Sequence, residues 1–266
     1  MVFLRRSIVR KVLIFLIALL PVLSVEAQIN TEKYRKYYEK EGFLFNASTT
    51  LALKDGNTEY IALKGTGRID YNGKAFDYFV VGNFEYKSSS DEKIENQGFV
   101  HLRSMWNFAP RADLEVFAQR QYDEFIDLNA RNLAGTGIKY GLVRACSRKD
   151  STHTFDVNLS VGIMYETEEY DVDERIVSLY LWRSTNFVSF DWLLKEKLNL
   201  TGVVYYQPAL KDFGDYRLSV EAGLEVQIAK RLFLITSFTY RYISRPIAKV
   251  KNFDLSLENG IRFQFN

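Results

Sequence analysis

The chain has 266 residues, with 35 Lys and Arg against 33 Asp and Glu, two His and one Cys. So even a balance argues against a nucleic-acid partner, which needs a cationic footprint to displace counterions. The single Cys146 excludes an internal disulfide framework, and neither His101 nor His153 has another His or Cys at a chelating spacing, so no metal and no cofactor is expected.

The first 27 residues have the order of an export signal. Arg5, Arg6, Arg10 and Lys11 precede the apolar run Val12 to Leu20, and Val25-Glu26-Ala27 presents small residues to a signal peptidase. The run falls short of the ~20 apolar residues a membrane helix needs. Cleavage after Ala27 removes four of the 35 basic and one of the 33 acidic residues, leaving 31 against 32 and a charge of −1. Residues 28–41, QINTEKYRKYYEKE, are charged without alternation and read as a short lead-in.

From residue 42 the chain reads as strands, because apolar and polar side chains alternate with a period of two. Phe43, Phe45, Ala47, Thr49, Leu51 and Leu53 mark the first, ending at Asp55-Gly56-Asn57. Ile61 to Tyr71 mark the second, ending at the hairpin signal Asn72-Gly73. Phe76 to Tyr86 mark the third and Val100 to Phe108 the fourth. Eight more follow at 112–123, 132–144, 152–166, 176–194, 198–207, 214–229, 232–244 and 252–266. Twelve strands over 42–266 leave about 19 residues for each strand and its connection, which suits strands that cross a bilayer at a tilt. Short connections at 72–74, 109–111, 195–197 and 229–231 alternate with the longer polar SSSDEK, EFIDLNAR, TEEYDVDE, QPALKDFGD and SRPIAKV.

Two architectures compete for this pattern. In a secreted β-sandwich the apolar faces meet in a core and the polar faces are solvated. In a closed transmembrane barrel they face lipid, and the polar residues line the inside. The final strand tilts the balance: Leu255, Leu257, Ile261, Phe263 and Phe265 alternate almost to the C-terminus, like the assembly signal of outer-membrane barrels, with Asn266 departing from the usual terminal aromatic. The expected fold is therefore all-β, a closed antiparallel transmembrane barrel of 12 strands over 42–266. The lead-in 28–41 would then be periplasmic, and the partners would be outer-membrane lipid, lipopolysaccharide and the barrel-assembly machinery.

Several ordered stretches carry a family resemblance. His101-Leu102-Arg103, AQRQYDEFIDLNARNLAGTGIKYGL at 118–142, RSTNFVSF at 183–190 and YYQPALKDFGDYRL at 205–218 resemble the salt-induced outer-membrane proteins, domain-of-unknown-function β-barrel family 481. The resemblance implies a Gram-negative outer-membrane barrel and no particular activity. Residues 166–182 look longer than the family pattern, as an extended outer hairpin would be.

Inward parity selects the candidate lumen residues. Pairing about the turn at 109–111 sets His101 opposite Gln119 and Arg103 opposite Phe117, with Glu115 diagonal to Arg103 and Asp123 farther along the same face. Pairing about 208–214 sets Tyr205 opposite Arg217 and Gln207 opposite Asp215. Such groups would either pass a small polar solute or ion or fill a narrow lumen as an ion-paired network. Gly135, Gly137 and Gly141 would leave room beside them. A lipid-acting enzyme is the other possibility weighed, but a Ser nucleophile needs a His base, and His101 points inward while His153 starts a strand by a turn. No catalytic residue is assigned. Arg120 takes lipid-facing parity near a strand's outer end, where it would contact a lipopolysaccharide phosphate unless a bulge turns it inward.

Overall fold

The computed structural model describes residues 41–55, 59–89, 92–146, 153–172, 175–194, 197–247 and 251–263. The expected signal segment, all of the lead-in but Glu41, and the last three residues lie outside that set.

Twelve strands follow one another in the chain: β1 (Gly42–Lys54), β2 (Tyr60–Asn72), β3 (Phe76–Ser89), β4 (Glu92–Ala109), β5 (Ala112–Asp123), β6 (Leu128–Cys146), β7 (His153–Val172), β8 (Arg175–Leu194), β9 (Leu198–Ala209), β10 (Asp212–Ala229), β11 (Leu232–Ile243) and β12 (Phe253–Phe263). They form one sheet in sequence order, each strand antiparallel to the next, so every connection joins neighbours. A 3-10 turn at Glu124–Ile126 joins β5 to β6, capped by the Asp123 side chain and ended by Asp127 with φ +56°.

Strand β7 and β8 are the longest, at 20 residues each. TEEYDVDE, expected as loop, is strand as far as Val172, because Glu166, Glu168 and Tyr170 have inward partners that hold the alternation. Strand likewise takes over parts of SSSDEK, EFIDLNAR and QPALKDFGD, so the expected contrast between long and short connections is weaker than the polar composition implied.

The sheet is strongly curled. Arg217 on β10 touches Glu166 on β7, although three strand spacings of ~4.8 Å would separate them by ~14 Å on a flat sheet. Across the end remote from the termini, Ile243 and Ile247 pack on Ile126, Leu128 and Tyr170. On a flat sheet β11 and β6 would lie ~24 Å apart. The expected closure is not present: no ladder joins β1 to β12 among the described residues, which leaves a seam. The concave faces of the two strands carry Asn46, Ser48, Thr50 and Ala52 on one side and Ser256, Glu258, Gly260 and Arg262 on the other, with Arg262 directed to Glu225 on β10.

Glycines at the β6–β7 contact allow the sharpest approach. A Cβ on Gly162 would lie 2.4 Å from the Thr136 carbonyl and 2.8 Å from the Gly137 Cα, and one on Gly135 would lie 2.7 Å from the Ile163 carbonyl. On the convex face, Gly65 and Gly202 lie beneath the rings of their cross-strand partners Phe84 and Phe190, which cover the backbone the glycines expose. Gly162→Ala should therefore cost about 1–3 kcal/mol by overpacking against backbone. Gly67→Ala, with nothing within 4 Å of its Cβ, should change stability by no more than about 0.5 kcal/mol. Urea midpoints of the two refolded variants will separate them.

Candidate functional site

Inward parity concentrates charge on the concave face of β6, β7, β8 and β10. Glu166 is the hub. Its Oε2 accepts from Arg131 Nη2 at 2.6 Å and from Arg217 Nη1 at 3.0 Å, while its Oε1 takes Arg183 Nε. Glu168, two residues along and so on the same face, binds Arg131 at 3.2 Å, Arg217 Nη2 and the Tyr170 hydroxyl at 3.3 Å. Arg183 reaches onward to both oxygens of Asp215, at 3.1 and 3.3 Å, and to the Gln207 and Asp215 carbonyls. Three guanidiniums thus face three carboxylates. Arg131, Glu166, Glu168 and Arg183 are each no more than 2% exposed, so the cluster is locally neutral and almost dry.

The far end of this hub is covered by apolar groups. Ile126, Leu128 and Tyr170 form a buried cluster, with Val172, Val177, Leu179, Ile243 and Ile247 packed against it. A solute entering from that end would meet hydrocarbon first and the ion network next.

A second group lies on β2 to β6. The His101 ring sits between Phe79 and Phe117, with centroids at 5.7 and 6.1 Å, and the Arg103 guanidinium lies over the same two rings at 5.8 and 5.5 Å. Arg103 Nη1 donates to Glu115 at 3.2 Å. Arg103 Nε approaches His101 Nε2 at 3.4 Å, and His101 Nδ1 lies 3.1 Å from Gln119 Oε1, an arrangement satisfied when Nδ1 carries the proton. Arg68 pairs with Asp70 and lies over Phe79 at 4.7 Å, and Lys139, fully buried, binds Asp113 at 2.8 Å. Among the described residues no group of three or more His, Cys, Asp or Glu is placed to hold a metal ion.

The structure places the sequence-selected residues as follows. His101 lies opposite Gln119, Arg103 opposite Phe117, and Glu115 diagonal to Arg103. Asp123 is buried but serves its own turn, accepting from the Phe125 amide at 3.1 Å. The β9–β10 register departs from expectation: Gln207 lies opposite Arg217 and Tyr205 opposite Ser219. The chain turns tightly, with Ala209 against Asp212, and residues 213–215 then bulge out of the ladder before Tyr216 rejoins it at Pro208. Asp212 holds that bulge at the rim, accepting from the Gly214 amide at 2.9 Å and pairing with Arg245 at 2.7 Å. The amide and then Arg245 keep its carboxyl below the usual carboxylate range. Tyr205 bonds Thr185 at 2.6 Å and stacks on Phe187, apart from the hub.

Sequence reasoning missed Glu166, Glu168, Arg131 and Arg183, the centre of the network. The available signal was inward parity in β6 to β8: Glu166 and Arg183 lay in expected strands, while Arg131 and Glu168 fell in the expected loops EFIDLNAR and TEEYDVDE. Arg120 is exposed on the convex face, in regular register between Val100 and Asn132. No bulge turns it inward.

The convex face is otherwise mostly apolar and bordered by rings. Toward the termini, Phe43, Tyr71, Tyr78, Phe76, Trp106 and Phe108 follow one another at centroid distances of 4.8 to 6.3 Å. At the far end stand Tyr165 with Trp182, Tyr206 with Tyr216 and Tyr242, and Tyr240 with Phe253.

A model of the family described as "Protein of unknown function, DUF481" matches residues 47–265. The chain belongs to this family. No curated protein matches it. Among solved structures it is similar to the NanC porin, 9% identical, covering 84% of this chain and 99% of that one with a TM-score of 0.43. It is also similar to the KdgM porin, at 11% identity, 84% and 99% coverage and a TM-score of 0.39. A third is the translocator domain of autotransporter NalP from Neisseria meningitidis, at 12%, 84% and 87% with 0.41.

Removing one partner from a buried ion cluster leaves the others uncompensated, at a cost of about 3–5 kcal/mol. Glu166→Gln should lower the unfolding midpoint by that order. Lys64→Ala, which breaks an exposed pair with Glu85, should cost under about 1 kcal/mol. Parallel denaturant titrations of the two variants check the contrast.

Proposed function

We propose that the chain is an outer-membrane β-barrel of a Gram-negative envelope, closed by pairing of β1 with β12. Its interior is so filled that it acts chiefly as a rigid envelope structure, passing at most a small polar solute or ion. One observation carries this reading: burial is inverted. Large apolar side chains such as Val116, Val161 and Trp182 are about half exposed on the convex face, while Arg103, Lys139 and Glu166 are sealed inside. In water that arrangement would be unfavourable on both faces, whereas in lipid the outer face is satisfied.

The dimensions agree. Phe155 and Tyr165 on β7, and Trp182 and Trp192 on β8, mark the two aromatic borders ten residues apart on one face. At ~3.3 Å per residue and a tilt of ~40°, ten residues rise about 25 Å, the height of the apolar band in such barrels. The signal-like segment at 1–27 and the alternating last strand support export and delivery to the assembly machinery. The end bearing the termini would be periplasmic and the apolar cluster around Ile126 would sit at the outer mouth.

The interior favours filling over conduction. Each buried cation has a carboxylate beside it, so no ring of one sign is left to select a permeant ion. A hydrolytic role has little support, because His101, the buried imidazole, is held by Gln119, Arg103 and two phenyl rings rather than by a nucleophile.

Two experiments test the reading. Val161→Arg puts a charge near the middle of the outer band and should cost about 2–4 kcal/mol of insertion free energy. The unmutated protein should give an unboiled gel band that shifts on heating, and the variant should largely lose it; an unaffected variant would refute the lipid-facing assignment. Reconstituted in planar bilayers and liposomes, the unmutated protein should show small conductance and no lipid breakdown. A large steady conductance would overturn the filled interior, and lipid hydrolysis would restore the enzyme reading.

A further inference from the structure

From the pattern on the convex face we infer that β5 to β8 hold a site for a phosphorylated glycolipid of the outer leaflet, with Arg120 as the phosphate ligand. The inference rests on the lipid-facing reading of that face.

Cross-strand register puts Arg120, Asn132, Thr167 and Tyr180 in one row across four strands. These groups are linked: Arg120 Nη1 donates to Asn132 Oδ1 at 3.0 Å, and Asn132 Nδ2 donates to Thr167 Oγ1 at 3.4 Å. Among the described residues Arg120 has no carboxylate partner, whereas Lys93 on β4 is neutralised by Glu124 at 3.2 Å. A guanidinium on an apolar face without a carboxylate needs an anion from outside the chain, and its planar fork suits a phosphate.

The height of the row and its neighbours define the rest of the ligand. It lies one step of two residues, ~7 Å of strand, beyond the Tyr165–Trp182 ring pair. That is headgroup level. The amide, hydroxyl and phenol beside Arg120 offer both donors and acceptors, as sugar hydroxyls require. In the row below, Ala118 and Ala134 lie side by side between Leu102 and Tyr165, so a shallow trough runs from the polar row into the apolar band. An acyl chain attached to the sugar would lie in it. A phosphate, a polar ring and a hydrocarbon chain in that order describe a phosphorylated, acylated sugar lipid.

The test uses the full-length refolded protein in detergent, with native mass spectrometry to count bound lipid. The probes are lipid A, the same lipid after enzymatic dephosphorylation, and phosphatidylglycerol. Lipid A should saturate a single strong site, and Arg120→Ala and Arg120→Gln should each weaken it on the order of ten-fold, the loss of charge-assisted hydrogen bonds. Dephosphorylated lipid should bind weakly and be indifferent to both substitutions. Unchanged lipid A binding in the two variants would overturn the site, as would phosphatidylglycerol binding as tightly and with the same sensitivity to Arg120. Each variant is first checked for the heat-shifted gel band. Its absence from the unmutated protein as well would instead fail the barrel reading.

Discussion

A sheet that turns most of its large apolar side chains outward has only small hydrophobic clusters to fold around, so the polar groups that fill its concave side must satisfy one another. The arrangement about Glu166 meets that requirement. A carboxylate out of water carries a desolvation cost of several kcal/mol, which a single partner seldom offsets. Here three guanidiniums approach the same group, and each of them reaches a second acceptor: Glu168 for Arg131 and Arg217, Asp215 for Arg183. Because the participants come from β6, β7, β8 and β10, satisfying the charge requires the sheet to curl. The electrostatics of the concave side thus specify the curvature.

The two interior groups solve the filling problem with different chemistry. Around the hub, guanidinium and carboxylate pair directly and an apolar cap shields them at the far end. Around His101 the cations lie on aromatic faces, with Arg68 from β2 and Arg103 from β4 both over the β3 ring Phe79. Stacking lets a planar cation occupy a tight space while its edge still donates to Glu115. The β6–β7 glycines belong to the same solution, since Phe117 packs where a Gly135 side chain would otherwise stand.

Much of this was legible in the sequence, because a period of two is hard to mistake over twelve strands. Phe155, Val157, Leu159, Val161 and Ile163 share the convex face of β7, and the pairing of His101 with Gln119 followed from the short turn at 109–111. What was not legible depended on contacts distant in sequence. Glu168 sits in a polar run that has the composition of a loop and Glu166 ends the expected strand beside it, and contacts with Arg131, Arg183 and Arg217 hold both in strand. Their partners lie 17 to 51 residues away. Nor can alternation reveal whether the first and last strands meet.

The bulge at 213–215 shows how one local irregularity can decide what an interior does. Symmetric pairing about 208–214 would have set Arg217 against Tyr205 and Asp215 against Gln207. The tight turn at Ala209 and Asp212, followed by three residues outside the ladder, keeps Arg217 on the concave face but moves it two positions toward the far end, opposite Gln207. From there its guanidinium spans Glu166 and Glu168. Asp215, left in the bulge, is freed from strict strand geometry and takes Arg183 through both oxygens and its own carbonyl. A slip of a single residue would have turned Arg217 onto the convex face. The displacement by two preserves the face and changes the partner, so the rim contacts of Asp212 with Gly214 and Arg245 help to fix the electrostatics of the interior below them.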